Sequence, residues 1–188
     1  MKDYVIRNER DLEKYKDEFG YHVQGNAEFK YSASFNGRLL VDGWLTIEAD
    51  GSIKAGGSIE AGEYIKAGWS IEAGESIEAG GYIEAGLSIE ADGSIKAGAF
   101  FGIVAGLYIT CKKELKCGLK VFAGICTWRE ITDEEKTITC GKFEGGVVEY
   151  GILHEVGMGD NLKKIELLQK ADELIKKADE LKEKASEF

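Results

Sequence analysis

Through the middle of the chain an isoleucine or similar apolar residue recurs at every sixth position, as in "IKAGWS" followed by "IEAGES". Alternate residues of a strand face the same side, so Ile and Ala would face a core and the charged residue between them would face solvent. The following Gly would allow a sharp bend. A period of six fits no helical repeat and predicts a β-solenoid. The recurring apolar positions are Val41, Ile47, Ile53, Ile59, Ile65, Ile71, Ile77, Ile83, Ile89, Ile95, Phe101 and Leu107.

The residue before each apolar position indicates how many repeats make one turn of the solenoid. It is serine in most repeats but aromatic at Tyr64, Tyr82 and Phe100, which are separated by three repeats each. Because stacked turns place equivalent residues above one another, this spacing predicts the length of one coil in a mainly β fold. It would be a three-sided β-helix with six-residue sides, or eighteen positions per coil. The aromatic residues would form one outward column, and Lys66 would lie beside Glu84.

The sequence on either side of the regular repeats predicts additional elements. Residues 1–40 would form a short N-terminal helix over residues 9–19, capped by Asn8 and ended by Gly20, and strands that lead into the first coil. Residues 41–110 would be the regular solenoid. In residues 111–157 the period is lost but alternation persists, which predicts an irregular β extension or cap. Residues 158–188 would form a long amphipathic helix.

The C-terminal segment repeats with a period of seven. Apolar residues at this spacing form seams along one side of a helix. Two alternatives follow: the helix packs on the solenoid or on the N-terminal helix, or it pairs with a second copy as a coiled-coil homodimer. The seam residues predicted to contribute to oligomerisation are Leu167, Ala171, Leu174, Ala178 and Leu181.

The charge of the chain restricts its partners. The 188 residues have a formal net charge of −10 and a pI near 4.9. Direct binding to nucleic acid or to an anionic membrane is therefore not expected, because phosphate contacts need clustered Lys and Arg. The charged N-terminus and the absence of a long apolar run predict a cytoplasmic protein, of a bacterial cell or a phage-infected host.

The sequence offers few residues for catalysis, and we expect no enzymatic activity, metal or cofactor. The four cysteines match no zinc or redox spacing, so we expect reduced, packed thiols. Phosphate-loop and nucleophile-elbow motifs are absent from the sequence. Six-residue repeats resemble those of hexapeptide acyltransferases in period but not in motif, which leaves acyl transfer a remote alternative. Such enzymes act through a histidine, and this chain has His22 and His154.

The architecture most resembles that of bactofilins, whose three-sided, right-handed β-helix of short repeats also follows a polar N-terminal segment. The resemblance covers roughly residues 35 to 110 and lies in period and composition. It implies a self-assembling structural scaffold as one function.

A second function follows from the charge of the repeats. Residues 46–100 carry ten acidic residues against three lysines, a net charge of −7. Acidic solenoid proteins that mimic DNA, and phage inhibitors of the anti-CRISPR type, are similar in size, charge and lack of catalytic residues. We therefore favour an inhibitor or decoy of a protein with a basic groove, such as a nuclease effector. The alternative is that the charges only keep the protein soluble. The predicted contact residues are Glu60, Glu63, Glu75 and Glu78.

Overall fold

Each regular six-residue repeat forms one short strand in the computed structural model, which describes residues 1–157. Most of these strands contain three residues: Ile, a charged residue and Ala. In the strand Ile71–Ala73 the first and last residues are buried, while Glu72 between them is half-buried on the outer side. The predicted inward direction of Ile and Ala is therefore confirmed.

The described residues contain one α-helix, two 3₁₀ helices and twenty strands, numbered in chain order. The helices are α1 (Glu9–Leu12) and the 3₁₀ helices Glu13–Tyr15 and Glu134–Lys136. The first strands are β1 (Asp3–Ile6), β2 (Gly20–Val23), β3 (Asn26–Phe29), β4 (Ala33–Phe35), β5 (Arg38–Val41) and β6 (Leu45–Ile47). The next are β7 (Ile53–Ala55), β8 (Ile59–Ala61), β9 (Ile65–Ala67), β10 (Ile71–Ala73), β11 (Ile77–Ala79), β12 (Ile83–Ala85), β13 (Ile89–Ala91) and β14 (Ile95–Lys96). The last are β15 (Ile103–Ala105), β16 (Ile109–Cys111), β17 (Glu114–Ala123), β18 (Thr137–Cys140), β19 (Lys142–Tyr150) and β20 (Ile152–Glu155).

The strands form a parallel β-solenoid of about six turns. From β2 to β14, each strand pairs in parallel with the strand three places later in the chain. The long strand β17 pairs with β14, β15 and β19, and so joins two runs of strands into one 13-stranded sheet. The other sheet has seven strands, from β4 to β20. The solenoid strands therefore extend on both sides of residues 41–110.

The predicted coil of three six-residue repeats describes only some of the turns. Ile53, Ile71 and Ile89 are paired on successive turns at this spacing. The spacing is also 18 where β2 pairs with β5 and β3 pairs with β6. It is 20 on several other turns, as where β6 pairs with β9 and where Ile83 pairs with Ile103, and the solenoid as a whole has about 20 residues per turn. A uniform coil of three six-residue repeats is therefore wrong.

Two short insertions explain the change of spacing. Eight residues instead of six separate Leu45 from Ile53 and Ile95 from Ile103, and a turn is formed at 49–50 and again at 99–100. The second insertion makes two predicted core positions wrong. Phe101 is 42 % exposed and Leu107 is half-buried, whereas Ile103 and Ile109 are fully buried in their place.

The N-terminal helix is capped as predicted but is shorter. The side-chain oxygen of Asn8 accepts a hydrogen bond from the N–H of Asp11 at 3.2 Å. The α-helix ends at Leu12, which is 3 % exposed, and a 3₁₀ helix continues to Tyr15. The predicted helix extends to Phe19, but the helical residues end at Tyr15, and β2 begins at Gly20.

The irregular part of the chain also forms solenoid strands. The alternating segments after Leu107 become β16 to β20, all of which pair in parallel. Residues 1–155 form one compact unit. Residues 158–188 lie outside the described part of the chain, and with them the predicted long helix and its seams of Leu167, Ala171, Leu174, Ala178 and Leu181.

Candidate functional site

Two of the four predicted contact glutamates lie on one run of strands, which consists of β5, β8, β11 and β14. Glu60 is the central, outward residue of β8, and Glu78 is its counterpart in β11. The two are direct neighbours in the parallel register. Adjacent strands are about 4.8 Å apart, so two like charges lie close together here.

The other two glutamates lie in the turns beside the same strands. Glu63 follows β8 and Glu75 precedes β11, and both are exposed. Glu75 accepts a hydrogen bond from the Ser58 hydroxyl at 3.0 Å. The structure thus places all four on one side of the solenoid or at its two corners. We call the outward side of β8 and β11, with these two turns, the acidic face.

Lysine side chains neutralise only part of the negative charge of the central turns. Each of the three lysines in residues 46–100 pairs with a glutamate one turn away. Within residues 1–157, Glu60, Glu63 and Glu75 form no ion pair. The three pairs are Lys54–Glu72 at 2.6 Å, Lys66–Glu84 at 2.8 Å and Lys96–Glu78 at 3.2 Å.

The excess charge is concentrated on the central turns. Residues 1–45 contain seven basic and eight acidic residues, and residues 101–157 contain the same numbers. Residues 46–100 contain three and ten. Because the strands of these turns are held on both sides by neighbouring turns, the carboxylates are attached to a rigid backbone.

The predicted aromatic column exists, but its members differ from the prediction. Tyr64 and Tyr82 stack with ring centroids 4.8 Å apart, and Trp44 stacks on Tyr64 at 6.1 Å. Phe100 lies on the second insertion, is 81 % exposed and takes no part. Because Ile83 pairs with Ile103, the position next to Tyr82 that is predicted for Phe100 is occupied by Gly102.

The serines that precede the strands have a structural role that was not predicted. The hydroxyl of Ser52 accepts a hydrogen bond from the N–H of Ser70 at 3.2 Å. On another run of strands, the Ser76 hydroxyl accepts from the N–H of Ser94 at 3.1 Å. These bonds link consecutive turns and satisfy backbone donors.

Cysteine and histidine form no cluster that suggests catalysis within the part of the chain that the structure describes. Burial raises the pKa of Cys111 to about 12 and that of Cys140 to about 11, which keeps both thiols protonated and poorly nucleophilic. His22 lies on β2 in the first part of the solenoid, with its Nε2 2.7 Å from Asp42 Oδ1. His154 is exposed on β20, the last strand. Among residues 1–157 no group of three or more potential metal ligands is present.

A concavity of about 760 Å³ lies beside α1 at the N-terminal end. Tyr21 donates a hydrogen bond to Glu13 at 2.8 Å, which lowers the pKa of that carboxyl group. A hydrogen bond from the N–H of Phe19 likewise lowers the pKa of Asp17. Both carboxyl groups are thereby kept ionised, which does not favour a general acid.

No model of a known protein family matches the chain, and neither a curated protein nor a solved structure matches it. The class of the protein rests on its structure, which is that of a parallel β-solenoid with a short N-terminal helix. No helix within residues 1–157 is long and apolar enough to cross a membrane.

Proposed function

We propose that the protein is a non-catalytic binding protein that uses its acidic face to occupy the basic groove of a nucleic-acid-handling protein. It would act as an inhibitor or decoy of the DNA-mimic or anti-CRISPR type, with a nuclease effector as the partner. The observation that carries this proposal is the concentration of carboxylates on rigid turns. Within residues 1–157, Glu60, Glu63 and Glu75 have no lysine partner, and Glu78 pairs with Lys96. A decoy needs fixed negative charges, because flexible charges lose conformational entropy when they bind.

The arrangement of the carboxylates suits contact with the basic groups of a partner that would otherwise bind phosphates. Glu60 and Glu78 repeat at the strand spacing of about 4.8 Å, which is of the same order as the roughly 3.4 Å rise between phosphates of one DNA strand. Glu63 and Glu75 extend the charge to both corners of the acidic face. Exposed charges are screened within about 8 Å at physiological ionic strength, so binding should weaken as salt rises.

Reversal of all four glutamates to lysine should abolish inhibition while the solenoid still folds. Their side chains lie outside the core, and the change replaces attraction to a basic groove by repulsion. The measurement is a titration of the full chain into CRISPR effector nucleases, with cleavage and competition for labelled DNA as readouts. Circular dichroism checks the fold.

A matched variant separates position from net charge. Reversing Glu48, Asp50, Glu72 and Glu90 changes the net charge equally but alters other sides of the solenoid. We expect it to retain most of the inhibition. If the variant with all four glutamates of the acidic face reversed still inhibits fully, this face is only a solvated surface.

A bactofilin-like scaffold is the second candidate, and the last turn of the solenoid favours it. Within residues 1–157, β19 pairs only with β17 and β20 pairs only with β18, so one edge of each strand has no partner there. Such edges can pair with a second copy. A scaffold should form filaments visible by electron microscopy in low salt, whereas a discrete small mass by light scattering would contradict it.

Several finer features belong to this proposal. The pairing of each strand with the third one after it supports a coil with three sides. The predicted C-terminal helix, and a homodimer through it, stay predictions. We also propose that the protein is not an enzyme, needs no cofactor, binds neither nucleic acid nor membrane directly, and acts in the cytoplasm.

A further inference from the structure

The aromatic column ends beside an open notch. The Tyr82 ring stacks on Tyr64 with an angle of 3° between the ring planes, so one face of the Tyr82 ring is covered. The equivalent residue on the next turn is Gly102, which has no side chain to cover the other face. The stacking of the column is therefore interrupted, and one planar ring face is directed toward the notch.

The notch is a shallow groove of about 360 Å³ with an apolar floor. Along this run of strands the outward residue changes from Glu84 to Val104 and then to Phe122 on successive turns. Leu119, which is 55 % exposed, forms a side wall. Exposed apolar patches rimmed by polar residues mark interaction sites in many proteins.

The net charge of the turns around the notch favours a cation. Glu84 lines the notch and is paired with Lys66 at 2.8 Å, so a bound cation would share this carboxylate with that lysine. The attraction for a cation therefore comes from the neighbouring central turns, which carry the net negative charge described above. The lysine at the rim, Lys120, is compensated by Glu149, with 2.9 Å between Nζ and the carboxylate oxygen. An aromatic side chain could extend the stack but would make no use of the carboxylate. A lysine would use the carboxylate but has no planar group to stack.

We propose that this notch binds an arginine side chain of the basic partner. The planar guanidinium stacks on the open face of Tyr82 and makes a charged contact with Glu84. Its hydrocarbon stem lies over Val104 and Phe122, as arginine stems commonly lie on apolar surfaces. The identity of the partner rests on the proposed function, whereas the binding of arginine rests on the notch itself.

Binding is tested with short peptides and the full-length protein. The probe is a blocked Gly-Arg-Gly peptide, compared with Gly-Lys-Gly, in low salt. Tyrosine ring signals in NMR spectra of protein with labelled tyrosine report the site. We expect the arginine peptide to shift the signals of Tyr82 and the lysine peptide to bind at least threefold more weakly. Equal binding of both peptides, or shifts confined to other tyrosines, would overturn the inference.

Two substitutions have matched controls. Tyr82→Leu removes the ring face, and Tyr64→Leu alters a ring that is already covered by stacking on both sides. Glu84→Gln removes the charge at the notch, and Glu72→Gln removes an equivalent lysine-paired charge on another run of strands. We expect Tyr82→Leu and Glu84→Gln each to weaken the arginine peptide about fivefold, and the controls less than twofold.

The outcomes distinguish this inference from the proposed function. If the arginine peptide shifts Tyr82 but the protein inhibits no nuclease, the proposed function fails and the notch remains an arginine site. If the protein inhibits a nuclease and Tyr82→Leu inhibits it equally well, the partner does not use the notch. Loss of both peptide binding and nuclease affinity in Tyr82→Leu, with Tyr64→Leu unaffected, supports the inference.

Discussion

Replacing Ile71 with aspartate should abolish folding of the solenoid. Ile71 is fully buried in β10 and is paired with Ile53 and Ile89 on the neighbouring turns. Its burial contributes about 1.5 to 3 kcal/mol, and a carboxylate placed there without a partner would cost several kcal/mol more. Since typical domains are stable by about 5 to 15 kcal/mol, this loss approaches the whole stability of the fold.

The measurement is the thermal transition followed by circular dichroism, with two comparison variants. Ile71→Val keeps the core apolar and should lower the free energy of unfolding by about 0.5 to 1.5 kcal/mol. Glu72→Gln changes the outward neighbour on the same strand and should have little effect. An unchanged transition for Ile71→Asp would mean that Ile71 does not face the core.

The strands and their faces could be predicted because the signals are local. Ile and Ala two positions apart must share a face of a strand, and this holds in every complete regular repeat from Ile53 to Ala91. The nearness of Glu60 and Glu78 also follows from the sequence, since three repeats separate them and the central coil has that length.

The insertions could not be predicted from periodicity. Phe101 is apolar and lies at the expected sixth position, so the sequence pattern accepts it as a core residue. Only the packing of the next turn, where Ile103 is buried instead, decides between the two. For the same reason, periodicity does not reveal that Trp44 belongs to the aromatic column. Its distance from Tyr64 is three repeats plus the two extra residues of the first insertion.

The notch depends on the second insertion. Gly102 reaches the position next to Tyr82 only because the chain is two residues longer there, and an uninterrupted period would have placed Phe100 on that ring. The local rule that gives the strands therefore predicts a continuous column. The interruption of the column is a property of the tertiary register, and it is this interruption that leaves a ring face open for a ligand.

The close stacking of the turns has a direct test in Gly86→Ala, which should lower the free energy of unfolding by about 1 to 3 kcal/mol. A Cβ atom on Gly86 would lie 1.9 Å from the carbonyl oxygen of Gly68, one turn away. That oxygen belongs to the backbone, so no side chain can move aside to make room. The solenoid would have to separate two turns that are joined by backbone hydrogen bonds, such as the one from Gly86 N–H to Ala67 at 3.1 Å.

Gly56→Ala is the matched control, because Gly56 also directly follows the Ala of a repeat strand. A Cβ atom on Gly56 would lie nearest to the Cα of Asn36, at 3.4 Å, which is an ordinary contact. There the substitution should be neutral or stabilise by up to about 1 kcal/mol, because alanine has less conformational entropy than glycine in the unfolded chain. Urea unfolding followed by tryptophan fluorescence measures both variants, and a similar slope in urea for each keeps the comparison valid. Equal urea midpoints for the two variants would contradict the close backbone contact at Gly86. A lower midpoint for Gly86→Ala alone would show that glycine is required there by the contact between turns and not by the bend itself.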